Sequence, residues 1–366
     1  MLGKNQIFMI HGTDYASMTR TLLEKCDLAA LIPSKDTRIG IKPNLVSASH
    51  PSYGATTHPE VVTALIHYLQ ENAFTNICVL EGSWVGEKTE SALRATGFDE
   101  AVSSCNVPFI DTQKDKTVMT DCAGMDIAIC KSALDVDFLI NVPVLKGHCQ
   151  TRITCALKNM KGIIPNKEKR HFHSMGLHKP IAHLNAAVKQ DFILVDNICG
   201  DLDFEEGGNP VVMNRILAGR DPVLIDSYVC QLMHYQLSDV PYIGMAEKLG
   251  VGSSDLRTAD ICSVDHAEIE EIPLSRKVVE VEDHVQEIES CSACYAYLIP
   301  ALDMLKREGL LEKLDEQICI GQGFRKKDGV LGVGHCTAGF RHHVEGCPPL
   351  ENDIYEFLKD YILSKE

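Results

Sequence analysis

Long apolar runs are missing from this chain. No stretch approaches the ~18 residues that a membrane span needs. Runs such as Phe138-Leu-Ile-Asn-Val-Pro-Val-Leu145 are short and broken by Asn141 and Pro143, as buried strands often are. The opening, Met1-Leu-Gly-Lys-Asn-Gln6, has no basic segment followed by an apolar one, so no signal peptide is expected. Positive charge is in deficit: Lys plus Arg is 35 against 51 Asp plus Glu, a net charge of −16. Such a surface repels nucleic-acid phosphates and anionic membranes, and neither partner is expected. A local basic pocket for an anion stays open. Nucleotide-binding signatures are absent too. There is no Rossmann glycine fingerprint, no P-loop lysine motif and no serine nucleophile elbow. Gly207-Gly208-Asn209-Pro210 reads as a turn, and Gly321-Gln-Gly323 lacks a third glycine. No internal repeat or low-complexity tract is visible.

What is present describes a packed globular protein. The 366 residues suit about two domains. An apolar content of 45% with 23% charged residues supports a core. Most of the 15 cysteines sit singly in apolar stretches, as Cys78, Cys130 and Cys230 do. There they act as small hydrophobes, which fits a reducing, cytoplasmic setting.

Strand-like and helix-like segments alternate through the first 265 residues. Arg38-Ile-Gly-Ile-Lys42 reads as a strand ending at Pro43-Asn44. Thr57-His-Pro-Glu60 opens a helix, with Thr57 as cap and Glu60 as the capping-box acid. Further strands are expected at 76–82, 138–142 and 192–196, with helices at 89–96, 178–189 and 221–235, the last capped by Asp221. This pattern predicts an α/β fold, a mostly parallel sheet with helices on both faces. Residues 1–265 form the expected main domain with a polar pocket. Residues 266–290, rich in acids such as Glu268, Glu270 and Glu271, are expected to be a linker or peripheral strands. Residues 291–366 form the expected smaller α/β unit.

That last unit holds Cys291-Ser-Ala-Cys294, then Cys336 and Cys347, the last followed by Pro348-Pro349. Four thiolates at the corners of a cube suit a 4Fe-4S cluster, and the small residues beside them let backbone N–H groups approach sulfide. Structural zinc is the rival for the same set. Gly334-His-Cys336-Thr-Ala-Gly339 with Val344-Glu-Gly-Cys347-Pro-Pro resembles the proximal-cluster region of nickel–iron hydrogenase small subunits and the related complex I subunit. The resemblance covers the last quarter of the chain and implies 4Fe-4S ligation, not a nickel site.

The polar residues of the main domain gather where strands are expected to end. Lys42, Lys146, Lys158 and Lys161 can converge on a carboxylate or phosphate, with Asn44 and Asn159 orienting it. His148 and Asp196 are candidates for acid–base work beside Lys42 and Lys146. His173 is placed with the substrate-binding set; His171-x-His173 is expected on a loop. His148, His171, His173, His178 and His183 are close in sequence, which leaves a second metal ion at a histidine cluster open. Asp226 is either buried against a lysine or solvated.

Lys42-Pro-Asn44, Thr56-Thr57-His-Pro, Lys146-Gly-His148, Ala156-Leu-Lys158-Asn159-Met-Lys161-Gly162 and the strand end at Asp196 together resemble the family called domain of unknown function 362, over about residues 38–265. That family name implies no reaction. The Thr57-x-Pro59 helix start is also faintly similar to lactate racemase-type proteins.

Three functions stay open at this point. The first is an iron–sulfur oxidoreductase or electron-transfer protein for a small anion, served by an electron-donor protein. The second is a non-redox lyase or isomerase with a structural cluster. The third is an accessory protein that handles a metal or cofactor. Assembly with further copies of the chain is also open.

Overall fold

The computed structural model describes residues 1–205, 208–268 and 271–365; Gly207 and Glu270 lie outside the described residues. The chain begins with strands β1 (Gln6–His11), β2 (Ile39–Pro43), β3 (Ile77–Glu81) and β4 (Phe109–Asp111). A hairpin follows, β5 (Thr117–Asp121) and β6 (Asp126–Cys130). Next come β7 (Phe138–Val142) and a short hairpin of β8 (Lys146–His148) and β9 (Arg152–Thr154). The last strands of this part are β10 (Phe192–Asp201), β11 (Pro210–Gly219) and β12 (Asp260–Ser263).

Eight of these form one sheet in the order β12-β1-β11-β10-β7-β2-β3-β4. All its strands run the same way except β11, which is antiparallel to both neighbours. The expected α/β architecture with a mostly parallel sheet is therefore present. Every residue of β2, β3 and β7 is buried, because helices cover both faces of such a sheet. The two-residue period sorts side chains between two cores: Ile193 and Val195 enter one, Phe192 and Leu194 the other.

The helix Pro59–Glu71 buries Val61, Val62, Leu65, Ile66 and Leu69 as its periodicity requires. Its cap differs from the expected one. His58 is the capping residue, with no side-chain cap bond, because Thr57 Oγ1 is used elsewhere. It donates to Val142 O at 2.9 Å and accepts from Asn44 N at 2.8 Å, tying β2, β7 and this helix together. Asp221 does cap its helix, Pro222–Leu232, accepting from Val223 N and Leu224 N. Asp226 is buried against neither lysine nor solvent; it accepts from Ala156 N at 2.7 Å and Leu157 N at 3.1 Å. His171 and His173 lie on a helix, Asn166–Met175, rather than on a loop.

The stretch 266–290, expected to be a linker or peripheral strands, has regular elements among its described residues. It contains a helix, Lys277–Glu282, whose Val278 and Val281 join the carboxy-terminal core, and a strand, β13 (Val285–Glu287). With β14 (Ile318–Ile320), β15 (Leu331–Val333) and β16 (His342–Val344) it makes a second sheet, parallel and in sequence order. Helices Ser292–Arg307 and Glu351–Leu363 pack with it. Cys149 and Phe204 of the larger part enter this third core. Among the described residues, no helix is long and apolar enough to cross a membrane.

Candidate active site

The small sheet contains a repeat that the sequence reading missed. Each of its last three strands is followed by a glycine with positive φ: Gly321 (121°) or Gly334 (85°) at once, and Gly346 (138°) after one residue. Positive φ turns the chain out of the strand at little steric cost for glycine. The loops stack: His335 N donates to Gly346 O, and Gly323 N to Ile288 O. Parallel strands end at one edge. Cys291 follows β13, Cys336 follows β15 and Cys347 follows β16, so three cysteines distant in sequence leave the sheet on the same side. Cys294 joins them from the first turn of helix Ser292–Arg307.

The four sulfurs feel one another. Burial, then Cys291, Cys347 and Cys336, push the Cys294 thiol up to about 12. Burial, then Cys336 and Cys347, also raise Cys291. Gln322 Nε2 stands 3.6 Å from Cys291 Sγ, and the neighbouring Cys336 raises the Arg325 guanidinium. Among the described residues, no three His, Cys, Asp or Glu side chains are close enough together for one metal ion.

A cavity of about 640 Å³ separates this edge from the carboxyl ends of β2 and β3. Its walls carry Lys42, Asn44, Glu81, His148, Lys158, Asn159, Lys161, Lys169 and His173, and also Cys291, Cys294 and Cys347. Lys42 and Glu81 form a buried ion pair across neighbouring strands. Lys42 Nζ also donates to Pro43 O at 2.9 Å, and Glu81 accepts from Gly82 N at 2.7 Å. Burial lowers the Lys42 ammonium despite the pull of Glu81.

A second group surrounds Glu205. Its carboxylate lies 2.9 Å from Lys158 Nζ, 3.2 Å from His148 Nε2 and 3.7 Å from Lys146 Nζ. Burial works against the Glu205 charge, but Lys158, His148 and Lys146 outweigh it and hold the carboxyl well below its ordinary value. Gln150 N and Thr151 N donate to His148 Nδ1 at 3.0 and 3.1 Å. The ring proton is thus on Nε2, facing Glu205. Burial and Lys158 push the His148 imidazole down to about 4, so it is a neutral donor at pH 7.

Lys169 Nζ donates to Gly82 O at 2.6 Å and Ser83 O at 2.8 Å; burial lowers it to about 8. Lys161 stands apart. Its one hydrogen-bond contact among the described residues is His173 Nε2, at 3.4 Å. Burial and Lys158 hold its ammonium well below the ordinary value of 10.5. Burial and Lys161 do the same to His173, well below 6.5. Four lysines with Arg170 and Arg325 thus line the cavity against three glutamates, Glu81, Glu205 and Glu351, and the surplus positive charge suits an anion.

Two expected catalytic residues lie elsewhere. Asp196 is fully buried and does not reach the cavity; its carboxylate accepts from His58 N at 2.7 Å, His58 Nδ1 at 2.9 Å and Ile198 N at 3.0 Å. Lys146 is also fully buried and donates to Ala55 O at 2.7 Å, behind Glu205. Asn44 and Asn159 line the cavity; Asn159 Nδ2 donates to Asn141 Oδ1 at 2.7 Å. The other histidines disperse. His171 pairs with Glu168 at 2.9 Å, His178 stacks on Tyr242, and His183 Nδ1 meets Cys122 O at 2.8 Å.

Sequence reasoning missed Lys169 and Glu205 and gave Glu81 no role. Lys169 and His173 are four apart on one helix, so they share a face; recognising that helix would have found Lys169. Glu205 sits in a loop after β10 and carries no motif.

Residues 39–231, more than half of the chain, match the family described as "Domain of unknown function (DUF362)". A thylakoid-associated protein of Synechocystis is 24% identical over 254 residues, covering 66% of this chain and 76% of that one. The lactate racemase apoprotein from Thermoanaerobacterium thermosaccharolyticum superposes with a TM-score of 0.43 at 14% identity. That superposition covers 64% of this chain and 57% of the racemase, so this chain spans little over half of that enzyme's length.

Proposed function

The chain belongs to the DUF362 family, and we propose that it is an iron–sulfur enzyme of the oxidoreductase class acting on a small anion in the cavity. One observation carries this reading: Lys42, Lys158, Lys161 and Lys169 line the same cavity as Cys291, Cys294 and Cys347. Cys291, Cys294, Cys336 and Cys347 would hold a 4Fe-4S cluster, which supplies single-electron transfer when bound. The donor set fits it. Four thiols leave one sheet edge and its neighbouring helix, and Cys291 and Cys294 are within electrostatic range of the other cysteines. Gln322 aims an N–H group at the Cys291 sulfur and the Arg325 charge lies near Cys336, and both favour the more negative, reduced state.

On the other wall, Lys161 is the receptor for the anionic head, because its ammonium has no carboxylate partner among the described residues. Lys158 and Lys169 add positive field, and His148 is held as a neutral Nε2–H group beside Glu205. An electron-donor protein would approach at Cys347, which is exposed.

A second reading, proton transfer in a lyase or isomerase, is favoured by Lys161 specifically. A buried lysine that sheds its proton readily beside a neutral histidine is suited to act as a base. The two readings separate by experiment. The chain is purified anaerobically and its turnover on candidate anions is followed with the cluster held oxidised or reduced. Turnover that needs the redox change supports the first reading; turnover indifferent to it supports the second.

A further inference from the structure

The cavity is far larger than a two- or three-carbon acid requires. Scaling from the ~30 Å³ that a water molecule takes in liquid, such an acid fills roughly 100 Å³, against a cavity of about 640 Å³ whose cysteine side would hold the cluster. Its lining is also mixed in chemistry. With the lysines it carries Trp84 from the loop after β3, Phe204, and Tyr297 and Pro300 from the helix Ser292–Arg307. Sites of this size are typically lined mostly by apolar and aromatic side chains, with a few polar groups that orient the ligand.

We propose that the cavity takes an anion with an apolar, aromatic-sized body, its charged head at Lys161 and its body against Trp84 and Tyr297. This rests on the reading above that the cavity receives an anion, and adds to it the class of molecule. Lys42, Lys158 and Lys169 already hold carboxylate or carbonyl oxygens. Among the described residues, Lys161 alone of the cavity lysines has only an imidazole nitrogen as its hydrogen-bond partner. A bare small anion at Lys161 would leave the aromatic wall wet. An aryl or alkyl body covers that wall and adds affinity in proportion to the apolar area removed from water.

The chain carries one tryptophan, and it is Trp84. With no other indole in the chain its emission reports this wall, read as a change from the ligand-free sample, and calorimetry on the same samples gives affinity. The full chain, purified anaerobically, is titrated with 3-phenylpropanoate and 2-phenylethyl phosphate. Acetate, inorganic phosphate and neutral 3-phenylpropanamide serve as comparisons. Each aryl anion is expected to change Trp84 emission and to bind at least about tenfold more tightly than its small counterpart. The amide should bind at least tenfold more weakly than 3-phenylpropanoate. Whichever aryl anion binds more tightly identifies the head as carboxylate or phosphate. Lys161→Met should reduce 3-phenylpropanoate to the level of the amide; Lys161→Gln replaces it if that variant does not fold. Acetate or phosphate binding as tightly as the aryl anions overturns this inference but leaves the anion site standing. The amide binding as well as the acid, with Lys161→Met without effect, overturns both. Failure of both aryl anions to bind overturns the inference as well.

Discussion

Gly162 is pressed against the carboxylate of Glu81: a Cβ added at position 162 would stand 1.8 Å from Glu81 Oε1 and 2.6 Å from Lys42 Nζ. Glu81 is buried and held by Lys42 and by Gly82 N, so it cannot swing aside without breaking those bonds. Thr112 Oγ1 fixes the glycine in turn, donating to Gly162 O at 2.6 Å. Gly162→Ala should therefore force the Lys42–Glu81 pair apart and destabilise the fold by about 3–5 kcal/mol, the range for breaking a buried pair. Chemical denaturation measures this; a loss below about 1 kcal/mol would show that the pair can shift freely.

The same pair predicts a non-additive series. Lys42→Met leaves Glu81 buried without its cation, at a cost of about 3–5 kcal/mol. Lys42→Met with Glu81→Leu removes both charges and should cost less than the single change. Equilibrium unfolding of the wild type, both singles and the double closes the cycle. A double variant as unstable as the sum of the singles would mean that the two groups do not act on each other.

His148 makes stability depend on pH. Its ordinary value is 6.5 and burial, with Lys158, lowers it to about 4 in the folded chain. Between these values the unfolded chain takes up a proton that the folded chain refuses. Stability from this group is full above pH 6.5 and declines as pH falls toward 4. From pH 7 to pH 4.5 the decline is about 2 kcal/mol by this linkage. His178, also lowered to about 4 by burial, contributes in the same direction, so the comparison needed is with His148→Gln. That variant should lose about 2 kcal/mol less than the wild type over the same interval; an equal loss in both would contradict the assignment.

How far the sequence led can be seen at Lys42 and at Cys336. The strand ending at Lys42-Pro43-Asn44 was legible because a polar segment interrupts an apolar run, and strand ends collect function in parallel sheets. The four cysteines were legible as a set because two-residue and glycine-flanked spacings are uncommon. Their joint role was an expectation from the sequence, but the strands that carry them were not legible: strands of three residues such as Leu331–Val333 leave almost no periodicity to read. The strand–glycine repeat at Gly321, Gly334 and Gly346 was hidden by its short, unequal spacing. Asp196 misled because a carboxylate at a strand end looks catalytic, while its actual partners, the backbone and ring of His58, lie 138 positions away. Glu205 escaped for the opposite reason, since a lone acid in a loop signals nothing until the fold brings Lys158 and His148 to it.

Anion binding should take up a proton. In the empty cavity Lys161 loses its proton well below 10.5, because of burial and Lys158, with Lys169 acting the same way and Glu205 opposing. The other groups facing it are His173 and His148. A bound anion favours the ammonium form and raises that value. Affinity should accordingly fall as pH rises through the value of Lys161 in the empty cavity. Calorimetry with 3-phenylpropanoate in buffers of different ionisation heat should show net proton uptake, abolished in Lys161→Met. Proton release, or uptake unchanged by that substitution, would place the coupling elsewhere.

The most direct measurement is the iron and acid-labile sulfide content of anaerobically purified protein, with electron paramagnetic resonance before and after dithionite, for the wild type and Cys347→Ser. The account predicts about four iron and four sulfide per chain, a signal that appears on reduction, and loss of most of both in Cys347→Ser. One zinc per chain with no iron, or iron unchanged by Cys347→Ser, would contradict it.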